Sequence, residues 1–246
     1  MSFFLLVLGL SIPLWILGPI VGRELLPGLP VSAVQFLCPV TAASFLLHRR
    51  SGAAGVAALL ERSFDFTRIT DSVSYVSVLL LIPAAYGLSY IIILMLGRPV
   101  AGVELNPLAI PLLLVVFFIG GLAEELGWSG YALDPMQRRW GALRAALLLG
   151  AFWAVWHWVP LLQAERSWAW IAWWSLSSVS LRLLHVWLYN NTGKSVFGQA
   201  LFHAAPNVAW QVLPTAYEPA ITGPILFVAA VVAWVNVGGI ECRERR

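Results

Sequence analysis

The chain has 246 residues, of which 60% are hydrophobic and 11% charged, with a formal net charge of +3 at pH 7. Soluble domains carry about a quarter charged residues, so this composition, with a mean hydropathy of +0.81, excludes a protein whose main solvent is water. The basic residues are scattered over short loops, which excludes the clustered Lys/Arg footprint of a nucleic-acid binder.

Apolar runs near the ~20 residues needed to cross a bilayer core recur at 3–22, 31–48, 73–96, 107–128, 142–161, 168–188, 194–213 and 220–240. They predict an all-α, polytopic transmembrane helical bundle of about eight spans, a single membrane domain over 1–246. The first run has no basic residue before it and no clear small-residue cleavage site after it, so it reads as a retained helix rather than a signal peptide. Cys38 lies in an apolar run and Cys242 in a charged tail, so no disulfide between them is expected. The stretch 49–72 mixes Glu61, Arg62, Asp65 and Arg68 with Leu59, Leu60, Phe64 and Phe66, which predicts a short interfacial helix on the cytoplasmic face. Thirteen tryptophans suit rings placed at two headgroup levels; Trp153, Trp156 and Trp158 read as packing and belt. No internal repeat or low-complexity tract divides the chain.

Alternate loops differ in their basic content. Arg49, Arg50, Arg62, Arg68, Arg138, Arg139, Arg144, Arg182, Lys194, Arg243, Arg245 and Arg246 fall in one set; Arg23, Arg98 and Arg166 fall in the other. By the positive-inside rule the first set is cytoplasmic, with both termini inside.

Ionisable groups inside a bilayer cost several kcal/mol unless paired and are functional candidates by default. Glu124 and Glu125 end the fourth apolar run directly after Gly120 and Gly121. His157 interrupts the fifth, and His203 and Asn207 the seventh. Residues four apart share a helix face, so Gln199, His203 and Asn207 form a polar stripe that must look into the bundle. Glu124 shares its face with Gly120, Gly121 and Trp128, while Glu125 points about 100° away, which predicts different roles for the two carboxylates. Small residues at 120 and 121 admit a neighbouring helix or a substrate backbone. Glu125 has a second reading, as an interfacial carboxylate paired with Arg138 or Arg139. Gln199 and Asn207 can be packing amides, and His48 and His185 lie near span ends and read as interfacial.

A carboxylate beside an imidazole in a low-dielectric cavity can activate water, and a second His with an amide can stabilise an oxyanion. Two imidazoles and a carboxylate are equally a workable zinc set. No HExxH motif is present, and spacing alone does not choose between these chemistries.

The segments Glu124-Glu125-Leu-Gly-Trp-Ser-Gly-Tyr-Ala-Leu, Phe152-Trp-Ala-Val-Trp-His157 and Phe202-His203-Ala-Ala-Pro-Asn207 resemble the three motifs of the CAAX-protease and bacteriocin-processing family, the type II CAAX prenyl endopeptidase-like proteins. The resemblance runs over 116–212 and includes Leu-Tyr-Asn-Asn-Thr-Gly at 188–193. It implies an integral membrane endopeptidase of a prokaryotic cell membrane, with a site open to the cytoplasm and a membrane-associated peptide or protein as substrate. Carried over by motif, Glu124 is the general base helped by His157, Glu125 supports the site, and His203 with Asn207 stabilises the oxyanion. No cofactor is expected, and zinc at Glu124, His157 and His203 is not favoured. Two departures stand out. Ser129 occupies the place of the family's Arg, four residues after the second Glu, and Pro206 lies between His203 and Asn207. Ser129 keeps open a catalytically silent immunity or scaffold protein, and intramembrane charge in general admits a small transporter.

Overall fold

The computed structural model describes residues 2–21, 24–26, 29–99, 109–213 and 217–237. Arg23, Cys242, the basic tail and the outer ends of the expected first, fourth and eighth spans (22, 107–108, 238–240) lie outside the described residues. The helices are α1 (Ser2–Val21), α2 (Cys38–Glu61), α3 (Ser72–Met95), α4 (Ala109–Gly127), α5 (Asp134–Trp140), α6 (Ala142–Gln163), α7 (Trp168–Asn191), α8 (Val196–Val212) and α9 (Pro219–Val237). A two-stranded antiparallel ladder of Glu24–Leu26 with Leu29–Pro30 follows α1. The expected all-α polytopic bundle is what the chain forms.

Each expected span falls on one of these helices, and five helical stretches are long and apolar enough to cross a membrane: Ser2–Val21, Val31–Arg68, Ser72–Met95, Ala109–Trp140 and Ala142–Gln163. The residues 219–235 form a shorter apolar helix. α7 is long enough at 24 residues but more polar, because Ser177, Ser178, Ser180, Arg182 and His185 along it are buried in the bundle. α7 packs between α6 and α9, and α8 packs on α4. Polarity is inverted relative to a soluble domain: Leu5, Ile20, Val73, Leu112 and Ile119 are exposed, while Glu124, Glu125, Arg182, His185, Gln199 and His203 are inside. With lipid as the solvent, apolar side chains gain little by turning inward, whereas a polar group must find a protein partner.

The fourth expected span ends too early at 128. Beyond Gly127 the helix widens into a π-helical stretch, Trp128–Leu133, and continues through α5 to Trp140. Gly141, with φ 78°, then reverses the chain into α6. Glu124 and His157 therefore stand at similar distances from this bend along their helices, each about four turns away.

Arg182 is also misplaced by the loop count. It is completely buried within α7 and no topology determinant; the remaining imbalance is eleven against three.

Within 49–72, α2 breaks at Gly52 (φ 65°) and runs on to Glu61, and a 3-10 segment, Arg62–Arg68, folds against the bundle. Arg62 donates to the carbonyls of Gly130 (2.9 Å) and Lys194 (2.6 Å) and to the Tyr189 hydroxyl (3.1 Å). Asp65 accepts from Ser195 Oγ (2.9 Å) and from the amides of Val196 (3.1 Å) and Phe197 (2.9 Å). Ser195 Oγ in turn accepts from Gly198 N at 3.0 Å. The first turn of α8 thus has its free N–H groups satisfied by a side-chain cap and by an anion at the positive end of its dipole. Asp71 caps α3 in the same way, accepting from Ser74 N at 2.8 Å; that bond holds its carboxyl below the usual range.

Asp65→Ala removes three acceptor contacts at the start of α8. It is expected to cost roughly 1–2 kcal/mol, read as a lowered thermal midpoint in detergent; an unchanged midpoint would show that this strap does not hold α8.

Candidate active site

Five elements converge on one buried polar cluster. α4 brings Glu124 and Glu125, the π-helical stretch brings Trp128 and Ser129, α6 brings Trp153 and His157, α7 brings Arg182 and His185, and α8 brings Gln199 and His203. The close approach of α4 and α8 depends on Gly121, because a Cβ there would lie 3.1 Å from His203 Cβ and 3.2 Å from Ala200 O. Gly120 faces open space, with nothing within 4 Å of such a Cβ. Gly121 is therefore the glycine that admits a neighbouring helix.

The two carboxylates have different hydrogen-bond partners, as their angular separation predicts. Glu124 Oε2 accepts from two indoles, Trp128 Nε1 at 3.1 Å and Trp153 Nε1 at 2.8 Å. Its Oε1 lies 3.9 Å from His203 Nε2. Glu125 is fully buried and binds three groups. Its Oε1 is 2.9 Å from His203 Nδ1, and its Oε2 accepts from Arg182 at 3.0 Å and from the Ser129 hydroxyl. A carboxylate paired with a guanidinium is acceptor-only, so His203 Nδ1 carries the proton in that bond. His203 thus bridges the two carboxylates with its two nitrogens.

Around this centre, His157 Nδ1 donates to the Trp153 carbonyl at 2.8 Å, leaving Nε2 as its acceptor nitrogen. Arg182 lies 4.8 Å above the Trp153 ring, so Trp153 touches Arg182 by its face, Glu124 by its N–H and His157 by its carbonyl. Asn207, half-buried, donates to the His203 carbonyl of its own helix at 3.3 Å; the Pro206 turn does not interrupt α8.

Glu124, Glu125, His157 and His203 are thus brought together, and Asn207 lies one turn beyond His203. Three readings of the sequence need correction. Glu125 pairs with Arg182, not with Arg138 or Arg139. His185 is buried beside Gln199, at 2.8 Å, rather than interfacial. Trp153 is a hydrogen-bond donor to Glu124 rather than packing and belt alone. Arg182 and the indole donors were missed as site residues, although Arg182 inside an otherwise apolar run was itself a signal.

Ligand atoms of Glu125, His185 and His203 lie within 4.8 Å of one another, a set different from Glu124, His157 and His203. The Arg182 guanidinium on Glu125 places a positive charge where a divalent cation would need the carboxylate.

The motif resemblance is matched by comparison with known proteins. Residues 106–209 match the family "Type II CAAX prenyl endopeptidase Rce1-like". The Rce1-like stretch holds all five motif residues. The chain is also 28% identical over 172 residues to CAAX prenyl protease 2 of Methanococcus maripaludis, an alignment covering 63% of each protein. The match thus spans a little under two thirds of that relative's length.

Gly121→Val drives α8 away from α4 and is expected to cost about 1–3 kcal/mol by overpacking, whereas Gly120→Ala is neutral or slightly stabilising. Thermal unfolding of the two variants in detergent separates them; equal effects would contradict this account of the helix contact.

Proposed function

We propose that the protein is a membrane-embedded CAAX-type endopeptidase that hydrolyses a peptide bond of a membrane-associated peptide or protein. The observation that carries this reading is His203 set between two buried carboxylates, with Nε2 facing Glu124 and Nδ1 bound to Glu125. The Rce1-like match and the named activity of the Methanococcus maripaludis relative support the reaction class.

Glu124 acts as general base. Its Oε2 is held by two indoles, so Oε1 is the oxygen that meets the nucleophile. A water bonded at about 2.8 Å to both Oε1 and His203 Nε2 spans their 3.9 Å separation with an angle of roughly 90° at its oxygen, a workable hydrogen-bond geometry. The water oxygen bonds to the peptide carbonyl carbon and its proton passes to Glu124, assisted by His157. The carbonyl oxygen becomes an oxyanion that accepts from Asn207 and from His203 Nε2–H, the imidazole being doubly protonated in this step with its Nδ1–H on Glu125, and Glu124 returns the proton to the amine as the C–N bond breaks. Glu125 keeps His203 in place. We place both termini, the Arg62–Arg68 strap and the α7–α8 turn on the cytoplasmic side, following the excess of basic residues there. On this reading the membrane is that of a prokaryotic cell.

Glu124→Ala is expected to lower cleavage of a fluorogenic membrane-peptide panel by about 1000-fold or more, and His157→Ala by about 100-fold. Wild-type-like cleavage by Glu124→Ala would overturn the mechanism.

A further inference from the structure

Arg182 has no role in the mechanism above, yet it is among the largest completely buried side chains of the protein. One terminal nitrogen pairs with Glu125 Oε2 at 3.0 Å, both side chains being 0% exposed. Its Nε and its other terminal nitrogen meet no hydrogen-bond acceptor among the described residues. A guanidinium in that setting is costly, and two contacts offset the cost: Glu125 and the face of Trp153. The bundle is shaped to admit it. Gly150 on α6 brings that helix against α7 at Arg182, where a Cβ would lie 3.2 Å from both Arg182 Cβ and Val179 Cα.

Each contact leads to the reacting groups. Through Glu125, Arg182 bears on the carboxylate that orients His203 by Nδ1. Through Trp153, it bears on the indole that holds Glu124 Oε2 and on the carbonyl that orients His157. Ser129 binds the same oxygen, Glu125 Oε2, from one helical turn away. A cation at 129 would therefore reach Oε2 from the same helix, through the i,i+4 relation.

We propose that Arg182 is the positioning residue of this site: from α7 it supplies the cation on Glu125 Oε2 and so orients His203, and through Trp153 it holds Glu124, for the reacting water. This deepens the peptidase reading and rests on it for its effect on rate, though its effect on His203 does not need that reading. It follows that Ser129→Arg is harmful in the wild type, where two guanidinium groups crowd one oxygen, and beneficial once Arg182 is neutral.

The experiment compares wild type, Arg182→Met, Arg182→Lys, Ser129→Arg and the double variant Ser129→Arg/Arg182→Met in detergent. The first readout is the imidazole 15N spectrum of histidine-labelled protein, with His203 assigned by His203→Gln. Arg182→Met should move the His203 resonances and leave His48 unmoved, and the double variant should bring them back toward wild type. If His203 is unmoved in Arg182→Met, or still displaced in a folded double variant, the proposal fails. Should Arg182→Met not fold, the double variant decides alone; its failure to fold as well overturns the proposal.

The second readout is kcat and KM on the peptide panel. Arg182→Met should lower kcat by about 100-fold with KM little changed, Arg182→Lys should fall less, and the double variant should recover about tenfold or more. An Arg182→Met kcat within about twofold of wild type overturns the proposal. Silence of wild type toward the panel counts against the peptidase reading and leaves the His203 spectrum to decide this one.

Discussion

The ion pair between Glu125 and Arg182 is the constraint on which the rest of the interior depends. Both groups are out of contact with solvent and lipid, where an unpaired charge is costly, and removing one partner of a buried pair costs about 3–5 kcal/mol even in soluble proteins. The pair ties α4 to α7, and the remaining oxygen of Glu125 ties both to α8 through His203. Three helices thus share one carboxylate. Side-chain packing alone would let helices slide against each other in lipid, since lipid tails are as apolar as the helices. A fully engaged carboxylate fixes their register instead.

The second organising element is the set of indoles. Trp128 and Trp153 both give their N–H to one oxygen of Glu124, and Trp156 gives its N–H to Ser11 on α1 at 2.8 Å. An indole suits this interior because it carries one donor on a large apolar body. It therefore satisfies a carboxylate without bringing a group that itself needs further partners. Trp153 stands at the crossing of α4, α6 and α7 and orders groups on all three.

Close helix approach makes these contacts possible. Gly121 brings His203 against α4, and Gly150 lets α6 close on α7 beside Arg182. Gly127 lies so close to α2 that a Cβ would fall 2.5 Å from Pro39 Cβ. At the start of α8, Asp65 and Ser195 satisfy the first-turn amides, so the helix carrying His203 is anchored both there and in its middle. An anchored imidazole between two carboxylates is the arrangement that the proposed hydrolysis requires, since water activation depends on angles as well as on distances.

Much of this was legible in the chain. Hydrophobic run length is a local property, and lipid demands that backbone groups be satisfied within each helix, so the helices and the all-α bundle follow from the sequence. The motif residues Glu124, Glu125, His157, His203 and Asn207 could be named for a similar reason, because an ionisable or strongly polar group in an apolar run stands out without any knowledge of its neighbours. Other features were decided only by tertiary contacts. Arg182 read as a loop cation, but its guanidinium lies on Glu125, 57 residues away in the chain. Glu124 and Glu125 read as the end of the fourth apolar run, but the helix continues past them through the π-helical stretch and α5. Trp153 read as belt, since nothing local shows that an indole N–H faces a carboxylate 29 residues away. A sequence declares which groups need partners in lipid; which partner each one finds depends on how the helices pack.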